Sequence, residues 1–235
     1  MHPPCRFQPR LAASFTLAIV VTMAPVTLPA ASVPVSLLLQ ISRVAGSPTG
    51  VEGGPVDTGP ALLSLLNQPE GVSIDGGGNL YIADTENNQI ERIDAATGNI
   101  TTVAANGLLG SSGTTLLNQP ASVLVDPHGN LYIADTGNHL VRFVRMDTGV
   151  ITTVAGNPAI SPFEPSNIGD GGPATLAALD TPTALALDAN GNLYVADAGD
   201  SRVREISAST GIISTVAAPE SPDTQVTTFL QSRRS

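Results

Sequence analysis

The sequence has no tryptophan, no lysine and a single cysteine, and only 3% of it is aromatic. Each absence excludes something. A lone cysteine, Cys5, supports neither a disulfide framework nor a thiolate metal site. Without lysine, only arginine opposes 20 acidic residues, and the formal net charge is −10. Such a surface repels a phosphate backbone and an anionic lipid headgroup, so nucleic acid and membrane surfaces are excluded as partners. Histidine is scarce too: His2, His128 and His139 are too few and too scattered for the three-ligand set of a catalytic zinc. Beyond the first segment no window sustains a 3.6-residue apolar period, which removes helices as the organising element.

The first 32 residues read as a signal peptide. Arg6 and Arg10 precede an apolar run over residues 11–24, and small residues, Pro29-Ala30-Ala31-Ser32, follow. The run is shorter than the roughly 18 residues a spanning helix needs. Cys5 lies ahead of the run, the wrong place for lipid attachment. The expectation is cleavage after Ser32 and a secreted, periplasmic or extracellular chain; the competing reading is an uncleaved anchor.

What remains is dominated by repetition. Residues 66–104, 117–155 and 179–217 align without a gap, with starts 51 and 62 residues apart. They place Asn79, Asn130 and Asn192 in register, then Tyr81, Tyr132 and Tyr194, then Asp84, Asp135 and Asp197. Each copy holds four short runs rich in Ile, Val, Thr and Tyr, broken by Gly, Asn and Asp. In the first copy these are Glu70–Asp75, Leu80–Asp84, Gln89–Asp94 and Asn99–Ala104. Runs of that length between such turns are strand and hairpin signals. About 40 residues holding four antiparallel strands are the grammar of a propeller blade.

The pattern P-x-x-[VL]-x-[VLI]-D-x-x-G-N-L-Y-[IV]-A-D-x-x-[ND]-x-x-[IV]-R resembles the NHL repeat, and Asn138-His139-Leu140 carries its eponymous triplet. The connectors are similar to those of a secreted bacterial branch and of the NHL domain of teneurins, through Val154-Ala155-Gly156 and Gly169–Ala174. The resemblance implies an all-β propeller: three complete four-stranded blades plus one orphan outer strand, a partial or open ring. The divisions are 1–32 signal peptide, 33–65 orphan strand and insert, 66–107, 117–157 and 179–218 blades, and 219–235 a disordered tail. Gln40–Ala45 matches the last strand of a blade whose first three strands are absent. Rings of this family usually have about six blades. Three would leave two large faces unpacked, so the expectation is a fragment of a longer propeller, with self-association of half-rings as the alternative.

Recurrence marks scaffold. The repeated tyrosines are expected to pack between blades, and the repeated Asp84, Asp135 and Asp197 to accept backbone N–H bonds across the following turn. Asp188, Asn190 and Asn192 echo the start of a calcium loop, but the further ligands of its 12-residue frame are missing. No metal and no cofactor are assigned. Arg92, Arg142, Arg202 and Arg204 read as surface partners of nearby acids. Loops on a rigid scaffold are where binding residues collect, so the inserts Ser47–Leu65, Asn106–Thr115 and Asn157–Leu179 are the candidates, with Glu52, Asp57, Glu164 and Asp170 as ligand-binding residues. The reading is a non-catalytic binding or scaffold module for a protein, peptide or glycan. The resemblance also implies an alternative, a metal-assisted hydrolase or lyase of six-bladed type whose ligands lie in missing blades.

Overall fold

The computed structural model describes residues 41–47, 58–105, 116–159 and 168–218. Thirteen strands form three antiparallel sheets. The first blade comprises β2 (Pro69–Ile74), β3 (Leu80–Asp84), β4 (Gln89–Ile93) and β5 (Asn99–Ala105), with β1 (Thr58–Pro60) added outside β5. The second is β6 (Pro120–Val125), β7 (Leu131–Asp135), β8 (Leu140–Arg145) and β9 (Val150–Ala155). The third is β10 (Pro182–Leu187), β11 (Leu193–Asp197), β12 (Arg202–Ile206) and β13 (Ile213–Ala217). Among the described residues the only helices are single 3-10 turns at Ala61–Leu63, Thr136–Asn138 and Ala174–Leu176.

The turns explain the recurrent Asp-x-x-Gly-Asn. Asp75 Oδ1 accepts the N–H of Gly77 and of Asn79, both at 2.9 Å, and its Oδ2 accepts Asn79 Nδ2 at 2.8 Å. Asp126 and Asp188 repeat the arrangement with Asn130 and Asn192. The glycine before each asparagine sits at φ 83, 84 and 83, where only glycine is unstrained. Asn79 Oδ1 then accepts Ala95 N–H at 3.0 Å, tying one hairpin turn to the next. The side-chain oxygens of Asp188 and Asn192, two of the residues that suggested a calcium loop, accept bonds from protein donors. Burial would raise the Asp75 carboxyl, but the Asn79 side-chain bond and the backbone bonds outweigh it and hold it below the ordinary carboxylate range.

Blades stack face to face. Tyr81, Ala83, Ile90 and Ala104 of blade 1 meet Val123, Leu131, Ile133 and Val144 of blade 2 in one core. Val141 and Ala155 of blade 2, with half-buried Tyr132 and Leu124, meet Leu193, Val195, Ile206 and Ile213 of blade 3 in a second. Gly71 shows how close the inner strands come: a Cβ there would stand 2.6 Å from the Ala121 carbonyl oxygen. The third core lies on the face of blade 1 that meets no other blade among the described residues. There Leu80, Ile82, Ile93 and Ile100 are covered by Val44, Ala45 and Leu66.

That cover is the orphan segment. Gly46 N–H donates to the Ala61 carbonyl at 2.9 Å with φ 94, as Gly156 donates to Ala174 at 3.0 Å with φ 93. Val44 and Ala45 thus stand where Val154 and Ala155 stand two blades later. Residues 41–45 carry no strand assignment, since no strand is paired with them among the described residues. The insert before blade 1 is less loop-like than its Gly/Pro content suggests, because Thr58–Pro60 pairs with Thr101, Ile100 and Asn99 as a fifth strand.

Candidate binding rim and its buried ion pairs

Two sets of loops separate onto opposite ends of the blades. The connectors entering each blade and the turns between its second and third strands share one end, pinned by the strand-ending aspartates. Asp84 Oδ1 accepts Asn67 N–H at 2.7 Å, Asp135 accepts Asn118 N–H at 2.8 Å, and Asp197 accepts Asp180 N–H at 2.7 Å. All three carboxylates are fully buried. The donor is thus the connector 17 residues upstream, not the following turn. The other oxygen reaches across that turn: Asn87 Nδ2 donates to Asp84 at 2.8 Å and Asn138 Nδ2 to Asp135 at 2.9 Å.

Blade 3 departs from this at one residue. Asp200 replaces the asparagine, and its negative charge faces Asp197. Burial, helped by Asp200 and only partly offset by the Asp180 N–H and Arg204, pushes the Asp197 carboxyl up to about 6. Asp200 itself pairs with Arg202 at 3.5 Å.

Beside each of these carboxylates a charged side chain is buried on the third strand. In blade 2 Arg142 Nε donates to Asp135 Oδ2 at 2.9 Å and Nη1 to Thr153 Oγ1 at 2.7 Å. In blade 3 Arg204 Nη1 reaches Asp197 Oδ2 at 3.4 Å, while Nη2 donates to Asp170 Oδ1 at 2.7 Å and to the Ile168 carbonyl at 2.9 Å. In blade 1 the position is Glu91, which accepts from Thr102 Oγ1 at 2.7 Å. Arg142 and Arg204 do pair with nearby acids, as expected, but inside the protein rather than on its surface. Arg92 and Arg202 pair with Asp94 and Asp200 nearer the solvent.

Ties between blades complete this end. Thr85 Oγ1 donates to the Pro120 carbonyl at 2.9 Å, and Thr136 Oγ1 to the Pro182 carbonyl at 2.6 Å. Asn88 Oδ1 accepts Gln119 N–H at 2.7 Å, and His139 Nδ1 accepts Thr181 N–H at 3.1 Å. Asn88 and His139 share the left-handed conformation at φ 56 and 57. The family triplet's histidine is therefore a clasp onto the next blade. Thr136→Val should cost about 1 kcal/mol in denaturant unfolding and Thr136→Ser almost nothing, since only the hydroxyl's bond is removed.

Of the proposed ligand-binding residues, Glu52, Asp57 and Glu164 lie outside the described residues, as do the signal-peptide segment and the 219–235 tail. Asp170 is described, and its carboxylate is held by Arg204. His128 is exposed at a hairpin turn on the opposite end from His139. Among the described residues no three His, Cys, Asp or Glu side chains gather as metal ligands. Tyr81 is buried between blades 1 and 2, with its hydroxyl 3.4 Å from Asp75. Tyr132 packs against Phe143 with ring centroids 4.9 Å apart and planes tilted by 52°, and Tyr194 is half-buried on the far face of blade 3.

Four-stranded antiparallel sheets stacked by their faces, with carboxylate-pinned connectors at one end, define blades of a β-propeller. Residues 66–93 and 117–142 match the NHL repeat model, and residues 145–228 match the model of the teneurin NHL domain. Residues 66–93 and 117–142 are thus NHL repeats, and 145–228 are similar to the NHL domain of teneurins. Over 106 residues the chain is 36% identical to NHL repeat-containing protein 2 of Bos taurus, covering 42% of this chain and 14% of that protein. Over 97 residues it is 39% identical to human Teneurin-4, covering 38% of this chain and 4% of that one. The chain therefore spans a small part of the curated relatives it matches. A solved Bacteroides thetaiotaomicron protein of unknown function superposes with a TM-score of 0.51 at 23% identity, over 64% of this chain and 36% of that one. A chain of the nidogen/laminin complex does so at 0.50 and 17%, over 68% and 52%.

Proposed function

We propose that this chain is a secreted, non-catalytic binding module whose connector rim recognises a protein, peptide or glycan. The observation that carries the reading is the set of hydrogen bonds that pins that rim. Buried aspartates and interblade clasps hold Asn67, Asn118 and Asp180 against the turns at 86, 137 and 199. A loop pinned in this way presents its neighbours at little entropic cost on binding. Glu86 and Asp170 are the acidic side chains there among the described residues, and the sequence of the inserts adds Glu52, Asp57 and Glu164. A cationic or hydroxyl-rich partner suits such a rim, and the shared fold of a chain in the nidogen/laminin complex is in keeping with a protein partner.

The test is binding of the purified full chain to immobilised glycans and extracellular proteins at about 0.15 M salt. Saturable binding is expected, with a loss of about tenfold in the triple variant Glu52→Gln, Glu86→Gln, Glu164→Gln. A binder indifferent to those changes and to salt, or turnover of a bound substrate, would overturn the reading. Export is checked by the mass of the mature chain, expected to begin at Val33.

A further inference from the structure

Two junctions join the three blades, and the same clasp closes both with different chemistry. Between blades 1 and 2 its side chains are amides: Asn88 Oδ1 accepts Gln119 N–H at 2.7 Å, and the residue ahead of Gln119 is Asn118. Between blades 2 and 3 the same two places hold ionisable groups, His139 and Asp180. His139 Nδ1 accepts Thr181 N–H at 3.1 Å, and the same nitrogen lies 3.4 Å from Asp180 Oδ1. One ring nitrogen therefore faces a donor and an acceptor.

It can serve only one of them at a time. A backbone N–H only donates, so a ring that holds Thr181 carries no proton on Nδ1 and is the neutral Nε2–H form. A carboxylate only accepts, so a ring that bonds Asp180 through Nδ1 must carry a proton there. The two states differ by one proton, and histidine is the side chain that changes charge between about pH 5 and 8. The ring is partly exposed, so protons reach it from solvent.

Both partners are held in place. Asp180 donates its N–H to the buried Asp197 at 2.7 Å, and its carbonyl accepts Gly199 N–H at 2.9 Å. Its carboxylate packs so closely on Gly199 that a Cβ there would collide with it, and Oδ1 accepts Thr181 Oγ1 at 2.9 Å. Thr181 is fixed at φ 55, with its carbonyl bound by Ala198 N–H at 3.3 Å. The other charges on the elements packed here have their own partners: Asp135 with Arg142, Asp200 with Arg202, and Arg204 with Asp170 and Asp197. Asp180 is the acid that faces the ring.

We infer that the junction between blades 2 and 3 is a proton-operated latch: on acidification His139 releases the Thr181 N–H and donates from Nδ1 to Asp180, while the Asn88 clasp between blades 1 and 2 does not respond. Acid then frees one backbone donor and occupies one carboxylate oxygen on the connector of blade 3. The connector of blade 2 stays as it was. The latch needs no ligand at the rim, so this inference and the binding reading fail independently.

The test is nuclear magnetic resonance of the 15N-labelled full chain from about pH 8 to pH 5. At the upper end the ring should carry its proton on Nε2. At the lower end the protection of the Thr181 amide against hydrogen exchange, taken relative to an unstructured amide at the same pH, should have fallen about tenfold or more, with that of Gln119 unchanged. A slowly exchanging Nδ1 proton should appear in acid and be missing in Asp180→Asn. His139→Asn, which copies the Asn88 clasp, should leave Thr181 as insensitive to pH as Gln119. The titration of the unaltered chain needs no variant to fold. The inference is overturned if Nδ1 carries the proton at the upper end, if Thr181 and Gln119 respond alike, or if the Nδ1 proton persists in Asp180→Asn. It is equally overturned if Thr181 still responds in His139→Asn, since Asp197, which titrates at about 6 and holds the Asp180 N–H, is then the driver.

Discussion

Asp135→Ala lowers the stability of this protein by about 3–5 kcal/mol, the cost of leaving a buried charge without its partner. The Asp135 carboxylate is fully buried and accepts three bonds, from Asn118 N–H, Asn138 Nδ2 and Arg142 Nε. Its removal strips the connector of its anchor and removes the carboxylate that lies 2.9 Å from the Arg142 guanidinium. The measurement is the urea midpoint at constant slope. Asp135→Asn keeps the shape and one acceptor oxygen and should cost less. Arg142→Met added to Asp135→Ala should recover part of the loss, because the uncompensated charge goes with it. Equal losses in the single and double variants would show that the anchor bond to Asn118, rather than the ion pair, sets the cost.

Asp197 gives the second large effect, and it depends on pH. Its carboxyl titrates near 6 in the folded protein and near 4 when unfolded. The folded state therefore binds the proton more tightly. Its contribution is present below about pH 4 and is lost as pH rises through 6, on the order of 3 kcal/mol across the window. The rest of the chain titrates too, so the variant Asp200→Asn isolates it. Asparagine at this position restores what Asn87 and Asn138 do in the other blades, donating to the carboxylate instead of repelling it. Compared with the wild type, Asp200→Asn should be about 1–2 kcal/mol more stable at pH 7.5 and nearly equal at pH 4. The Asp197 carboxyl resonance should then titrate well below 6. A variant equally stable at both pH values would mean that Asp200 does not bear on Asp197.

How far the sequence reveals these features depends on how far apart their partners lie. The strand Leu80–Asp84 has the same bounds in sequence and structure, because Leu-Tyr-Ile-Ala-Asp is closed by turn residues on both sides. The hairpin turns are equally plain, since Asp75 and Asn79 satisfy each other within five residues. The place of Val44 and Ala45 was legible because the Val-Ala-Gly that ends blade 2 is spelled again at 44–46. The role of His139 was not. Its partner, Thr181, lies 42 residues on, and nothing local distinguishes a clasp from an exposed ring. The buried charges were missed for a related reason. Glu91, Arg142 and Arg204 occupy one position with opposite signs, so repetition hid the site instead of marking it. The strand β1 was masked by its own composition, Thr-Gly-Pro.

The location of the specific bonds has a consequence for how such genes can be rearranged. Within a blade, side chain matches side chain: Asp135 with Asn138 and Arg142, Asp197 with Arg204. Between blades, the clasps land on backbone, on the carbonyls of Pro120 and Pro182 and the N–H groups of Gln119 and Thr181. Any blade of this pattern offers the same backbone to its neighbour. A crossover in a connector ahead of Asp170 therefore keeps Asp135 with Arg142 and Asp197 with Arg204, whereas one between β7 and β8 exchanges Arg142 for the Glu91 of blade 1 and takes from Asp135 its arginine. Whole blades are the units that recombination can copy, delete or reorder, and a breakpoint between β7 and β8 or between β11 and β12 costs a buried aspartate its arginine.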